Sequence, residues 1–246
     1  RIAIVDNAVE TAHTDLAPNM WINTGEVFGN GIDDDGNGYI DDINGYDVSD
    51  NDEDPNPINS TFDHGTHVAG IASAATNNNT GVAAIGYSCK IIGIKASQDG
   101  GSPSSITDGY AGISYAVAAG AKVVNCSWGG TFSSTTAQNL IDWAYSQNVI
   151  IVAAAGNSST NQQFYPAAFN NVISVASTDN GDLKSSFSNY GSWIDVSAPG
   201  SNIYSTLPGN TYGYTSGTSM ASPLVAGLVG LMRALSPTLP QSNIIN

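Results

Sequence analysis

Five short apolar runs, at 2–5, 91–94, 123–126, 149–155 and 172–176, are rich in β-branched residues and continuous rather than alternating. A strand with one wet face alternates apolar and polar residues, whereas a strand buried on both faces is apolar throughout. These runs therefore read as strands of a sheet covered on both sides. Residues 105–119 and 135–146 lie between them with helical length and apolar spacing, and Gly120 follows the first where a helix-terminating glycine is expected. Short strands alternating with helices predict an α/β chain, a mostly parallel sheet with helices on both faces. In such sheets functional groups gather beyond the carboxyl ends of the strands. Asp6 and Asn157 both follow apolar runs, so the topology brings them to one rim.

Composition narrows the partners. The 246 residues, 41% hydrophobic, suffice for a large core, and α/β domains of this size commonly stay in one piece, which predicts one domain over 1–246. Six Lys and Arg against 21 Asp and Glu give a net charge of −15. That balance argues against nucleic acid or an anionic membrane as partner and permits bound cations. No run approaches a membrane span, and the first residues read as a strand without a signal-peptide pattern. Cys89 precedes the strand-like run 90–96, whereas Cys126 ends the run 122–126. In parallel strands these sulfurs lie at opposite ends of the sheet, several residues apart at about 3.3 Å each and beyond the ~7 Å Cα limit for a bridge. Both are expected to be buried, unpaired thiols.

The chemistry concentrates in three segments. Gly217-Thr218-Ser219-Met220-Ala221-Ser222-Pro223 runs into the apolar stretch 224–235 and sets Ser219 at a helix start. Unpaired N–H groups and peptide dipoles there stabilise developing negative charge, although a serine in that place is by itself an N-cap. Phe62-Asp63-His64-Gly65-Thr66-His67-Val68-Ala69-Gly70 sets His64 at the start of another helix, and Ile2-Ala3-Ile4-Val5-Asp6 is a strand ending in a carboxylate. Asp, His and Ser follow in that chain order, which is the order of subtilisin and not that of chymotrypsin or the α/β-hydrolases. With the three motifs in register, the chain resembles the subtilisin-like serine proteases, the subtilase family, from residue 2 to about residue 235.

The resemblance implies a subtilisin-like three-layer fold and a secreted, extracellular serine endopeptidase acting on polypeptides. Ser219 would be the nucleophile, His64 the base and Asp6 the group that orients the imidazole. In the family motif the first histidine is catalytic, so His67, three residues on, is assigned to packing; His13, outside the motifs, is expected at the surface. Asn157, after Val152-Ala153-Ala154-Ala155-Gly156, aligns with the family's oxyanion asparagine, with the Ser219 N–H as its partner. Asn125-Cys126-Ser127-Trp128-Gly129-Gly130 matches the segment that pairs with substrate before the cut, and Gly100-Gly101-Ser102 resembles the opposing edge. Ala154, Ala155 and Gly156 would wall a pocket open to sizeable apolar side chains. Trp128 stands where a smaller aliphatic residue is expected, and either reshapes a neighbouring subsite or packs into the core. Where the family shows Thr or Ser and then Gly after the catalytic Asp, this chain has Asn7-Ala8, which lacks glycine's access to positive φ. The resemblance further implies a signal peptide and an inhibitory pro-segment outside these residues, so the chain is expected to be an excised fragment, shortened at both ends.

Calcium is the expected cofactor, at two places. Asp33-Asp34-Asp35-Gly36-Asn37-Gly38-Tyr39-Ile40-Asp41-Asp42 fits the opening of a calcium loop, with oxygens at alternating positions. Asn44 replaces the closing Glu, so Asp42 is expected to close the loop and Tyr39 to give a backbone oxygen. A solvated acidic turn is the alternative, against which stands the mutual repulsion of five Asp in ten residues. The resemblance implies a second, tighter site from the Asp15 and Asn78 side chains with the carbonyls of Thr76, Thr80 and Val82. A catalytically impaired relative that binds calcium or peptide is the alternative to an enzyme, and the intact Ser219, His64 and Asn157 weigh against it.

Overall fold

A computed structural model describes residues 1–245. In β1, Ile2–Asp6, alternate side chains go to opposite faces: Ala3 and Val5 join one core cluster, Ile2 and Ile4 the other. The run is continuous because both faces find apolar cover. The sheet is completed by β2, Gly45–Asp47, β3, Ile91–Lys95, β4, Val123–Cys126, β5, Ile150–Ala154, β6, Val172–Thr178, and β7, Val196–Pro199. Its order is β2-β3-β1-β4-β5-β6-β7, with every neighbouring pair parallel. Two helices, α2 (Gly109–Ala118) and α3 (Thr135–Ser146), bring Ile113, Tyr115 and Ile141 to one face. The other is covered by α1 (His64–Ser73) and α4 (Thr218–Leu235) through Val68, Ile71, Val225 and Val229. An antiparallel hairpin, β8 (Ile203–Leu207) with β9 (Thr211–Thr215), leads into α4, and α5 (Ser242–Ile245) follows it. This is the expected three-layer α/β architecture.

Register carries the site. Val5 lies opposite Cys126, Cys126 opposite Ala153, and Asp6 opposite Lys95, so β1, β4 and β5 end together at one edge. Lys95 is 2% exposed, and its ammonium meets Asp47 at 2.6 Å and also Asp99. Burial works against this charge, but the two carboxylates outweigh it and raise the Lys95 pKa. The pairing pins the start of the segment that runs from β3 towards the cleft.

The structure departs from the expected elements in specific places. The helix expected over 105–119 starts only at Gly109, because the N–H groups of Thr107 and Asp108 both turn to Ala96 O. A Cβ at position 109 would lie 2.4 Å from Trp128 Cζ2, so the indole occupies space that only glycine leaves. β2, β7 and the hairpin lack long apolar runs and carry no period-two signal strong enough to be read. Both cysteines are free. Cys126 is fully buried, and burial raises its thiol pKa; Cys89 is only half-buried, a correction to the expectation of two buried thiols.

Candidate active site

The edge where β1 ends places Asp6, fully buried, against the first residue of α1. His64 Nδ1 donates to Asp6 Oδ1 at 2.7 Å, which fixes the tautomer and leaves Nε2 directed away from the carboxylate. Burial disfavours the imidazolium, but Asp6 outweighs it, and the His64 pKa rises above its ordinary value. His67, one turn on, is buried; its Nε2 donates to Gly213 O at 3.2 Å, and burial lowers its pKa. Ala8 takes none of the positive-φ geometry that would require glycine.

Ser219 opens α4, and a proline fixes how it is held. Pro223 has no N–H, so the carbonyl of Ser219, four residues back, receives no helical bond from it. Ser127 Oγ donates to that carbonyl at 2.8 Å instead, and Ser219 Oγ donates to Ser127 O at 3.1 Å. Below them Asn125 Nδ2 donates to Ser127 Oγ and Ser222 Oγ to Asn125 Oδ1, so the end of β4 is tied to the start of α4. Asn157 Oδ1 accepts from Thr218 N at 2.8 Å and Thr218 Oγ1 at 2.9 Å. Its amide is thereby turned with Nδ2 towards Gly217. A Cβ on Gly217 would lie 3.4 Å from Asn157 Nδ2 and 3.6 Å from Ser219 N, so both nitrogens border one point beside Gly217.

These groups share a cleft of about 760 Å³, lined by Asp6, His64, Ser219 and Asn157 and flanked by Ser127, Trp128, Gly129, Ala154 and Gly156. Trp128 combines both expected roles: Nε1 donates to Val5 O at 3.0 Å, the ring meets Tyr110 edge-on at 5.3 Å, and it also lines the cleft. Gly101 stands in an exposed turn with its N–H given to Gln98 O, and the wall on that side is formed by Pro103, Ser104 and Ile106. Ile106 and Tyr110 escaped notice as cleft residues because they fall inside a segment read as one amphipathic helix.

Among the acidic residues, the structure gathers Asp35 and Asp42 with Glu26, their carboxylate oxygens lying within 4.8 Å of one another. Glu26 precedes the motif and carries no spacing signal. Asp42 is fully buried and accepts from Tyr115 Oη at 2.8 Å, Asn23 Nδ2 at 2.7 Å and Asn37 Nδ2 at 3.0 Å. Burial raises its pKa against these bonds, and neighbouring Asp35 adds to the rise. Asp33 instead accepts from the N–H groups of Gly36, Asn37 and Gly38, and the Tyr39 ring packs 4.5 Å from that of Tyr115. At the other place, buried Asp15 accepts from Asn78 Nδ2 at 2.6 Å and Val82 N at 2.8 Å. Thr80 N donates to Asn78 Oδ1, and Thr76 Oγ1 is buried without a partner. His13 corrects the expectation of a surface residue: it is fully buried, with Nδ1 accepting from Asp15 N and Nε2 on Thr211 O.

A parallel sheet that offers an Asp–His pair from β1 and α1 to a serine opening a core helix is a subtilase arrangement, and the sequence matches the subtilase family over residues 1–244. The chain belongs to that family and is a serine endopeptidase by class. It is similar to thermitase from Thermoactinomyces vulgaris, 44% identical over 232 residues, which are 94% of this chain and 74% of that one. A halolysin-like extracellular serine protease, Nep, from Natrialba magadii is 39% identical over 243 residues, 99% of this chain but only 41% of that protein. Among solved structures, a Pseudoalteromonas arctica PAMC 21717 protease superposes with a TM-score of 0.80 at 31% identity, covering 99% of this chain and 80% of that one.

Proposed function

We infer that residues 1–246 form one peptidase domain, a secreted, calcium-stabilised enzyme that hydrolyses peptide bonds through Asp6, His64 and Ser219. The observation that carries this reading is the placing of Asn157 Nδ2 and the Ser219 backbone nitrogen around one point, in the cleft that Ser219 lines together with the His64–Asp6 pair. An oxygen that becomes negative there meets donors already in place, which is where electrostatic catalysis acts. Ser219 Oγ leaves Ser127 O, gives its proton to His64 Nε2 and bonds to the substrate carbonyl carbon. The imidazolium, held by Asp6, passes that proton to the leaving amine as the C–N bond breaks, giving an acyl-enzyme and a free amino terminus. Water, deprotonated by His64, then attacks the ester, and Ser219 Oγ recovers its proton.

Substrate lies extended between Ser127, Trp128 and Gly129 on one side and, on the other, the edge expected at Gly100-Gly101-Ser102 with the cleft-lining Pro103 and Ser104 that continue it, paired through main-chain groups with little sequence selectivity. Small residues at Ala154 and Gly156 leave the pocket before the cut open, and Trp128 walls a further subsite. Calcium would be held at Asp15 and Asn78 with Thr76, Thr80 and Val82, and at Asp35 and Asp42 with Asn37 and Tyr39, whereas the Asp33 carboxylate is taken up by backbone N–H groups. Glu26 joins the second set through its carboxylate. The mutually facing carboxylates, buried at Glu26 and Asp42 and exposed at Asp35, and the orphaned Thr76 Oγ1 fit such a cation, which supplies charge neutralisation and stability. Secretion is supported by the extracellular relative, while an inhibitory pro-segment rests on the family resemblance alone. Labelling with a fluorophosphonate tests the whole reading: modification maps to Ser219 in the folded protein, and a folded, calcium-loaded protein that stays unlabelled is a binding relative and not an enzyme.

A further inference from the structure

Asn7, the residue after Asp6, is 1% exposed and gives each of its polar groups to a different part of the cleft. Its backbone N–H donates to Asp6 Oδ1 at 2.8 Å, the oxygen that His64 Nδ1 reaches at 2.7 Å. Its side-chain oxygen accepts from Gly65 N–H at 2.9 Å, and its side-chain NH₂ donates to Pro103 O at 2.9 Å.

Both side-chain partners are otherwise poorly provided for. A helix start carries unpaired N–H groups, and Asp63, preceding α1, makes no side-chain cap bond, so the turn that begins with His64 is capped from 58 residues away. Pro103 has no N–H, so its carbonyl is the one backbone group by which this residue of the cleft wall can be held. An amide on a short stem offers an acceptor and donors at separate atoms, whereas the Thr or Ser usual in relatives offers one hydroxyl.

We propose that Asn7 is a positioning residue that couples the substrate edge at 101–104 to the Asp6–His64 pair. A peptide pairing along that edge bears on Pro103, and through the Asn7 amide on the first turn of α1, so that edge occupancy and the aim of His64 are set together. The coupling rests on the reading of Asp6, His64 and Ser219 as a triad and of 101–104 as a substrate edge.

The test compares purified Asn7→Ala and Asn7→Thr with the parent in kcat, KM and thermal melting. Two substrates are used: a single-residue ester too short to reach the edge, and a peptide long enough to run along 101–104. In Asn7→Ala, kcat falls about tenfold on both substrates, the size expected when one buried donor is left unpaired. KM for the peptide rises roughly fivefold, the factor for about one lost hydrogen bond, while KM for the ester is unchanged. Asn7→Thr, with a hydroxyl that can still accept from Gly65, recovers kcat and keeps the raised peptide KM. Equal losses on both substrates with unchanged KM, in step with a lowered melting temperature, overturn the coupling, as do parental constants in Asn7→Ala. If Asn7→Ala does not fold, the peptide KM of Asn7→Thr decides, and a parental value overturns the proposal. The underlying triad reading fails separately, through ester hydrolysis and fluorophosphonate labelling that persist in Ser219→Ala.

Discussion

In the cleft, Asp6 faces an imidazole N–H, the Asn157 oxygen faces two donors from Thr218, and the Ser219 carbonyl faces the Ser127 hydroxyl. Around Asp35, by contrast, three carboxylates face one another with amide and hydroxyl groups between them and, among the described residues, no basic side chain among the partners of Asp35 and Asp42. The first region is held by complementary groups within the chain. The second brings like charges together and gains from a cation. Reactive geometry and local stability therefore depend on different contacts, and perturbing one should leave the other largely intact.

The strongest attack on this contrast is made inside the cleft. Ser219→Ala and His64→Ala each should abolish turnover on a peptide while leaving melting close to the parent; the scale known for subtilisin is about 10⁶ in kcat. Substantial turnover in either variant would show that the cleft is not the reacting centre. Asn157→Ala comes next, with roughly 10² to 10³ lost in kcat, the range known for the same donor in subtilisin. Gly217→Ala should move kcat in the same direction, since its methyl would stand in contact with both Asn157 Nδ2 and Ser219 N, in the space an oxyanion between them would occupy; parental kcat there would place the oxyanion elsewhere.

Titration separates the regions further. Only neutral imidazole accepts the serine proton, and the His64 pKa is raised, so kcat/KM should climb with pH through a midpoint above the ordinary 6.5. The same shift makes the His64–Asp6 contact stabilising at acid pH, a contribution that fades as pH rises through the folded-state pKa. A midpoint at or below 6.5, with chemistry limiting, would contradict the Asp6 pairing. Chelator should not move the midpoint.

The smallest effect is expected at the acidic loops. With an affinity typical of extracellular sites, about 10⁻⁴ to 10⁻³ M, millimolar calcium adds about 1 kcal/mol at the acidic loop, or roughly 2 to 4 °C of melting temperature, and more at the tighter Asp15 site. Melting of Ser219→Ala protein in calcium and in EDTA measures this without self-digestion. Asp35→Asn with Asp42→Asn should erase one part of the calcium response and Asp15→Asn another, whereas Asp33→Asn should lower melting equally in both buffers because that carboxylate holds backbone N–H groups. Identical parent curves in calcium and EDTA would remove the cation from the account. A fall in kcat with EDTA well below melting would break the contrast itself.

Much of the catalytic side was legible in the chain because its signals are local. Continuous apolar runs report burial on both faces, which is a property of neighbouring residues, and Asp6, His64, Asn157 and Ser219 lie in short motifs whose roles the resemblance to subtilases supplies. The acidic side was legible only in part. Spacing suggests Asp33, yet its carboxylate turns to backbone N–H groups, while Glu26, outside any spacing pattern, joins Asp35 and Asp42.

What the sequence by itself determined is thus the parallel sheet, the order of Asp6, His64 and Ser219 along the chain and the acidic excess, each encoded in residues adjacent along the chain. Tertiary structure alone decided that His13 is buried beside Asp15, that α2 waits until Gly109 to admit Trp128, and that Asn7 caps a helix 58 residues away. Periodicity records which face of an element is covered. It carries no record of which distant group will supply the cover, because a hydrogen bond or a packed ring between remote segments depends on their approach in space.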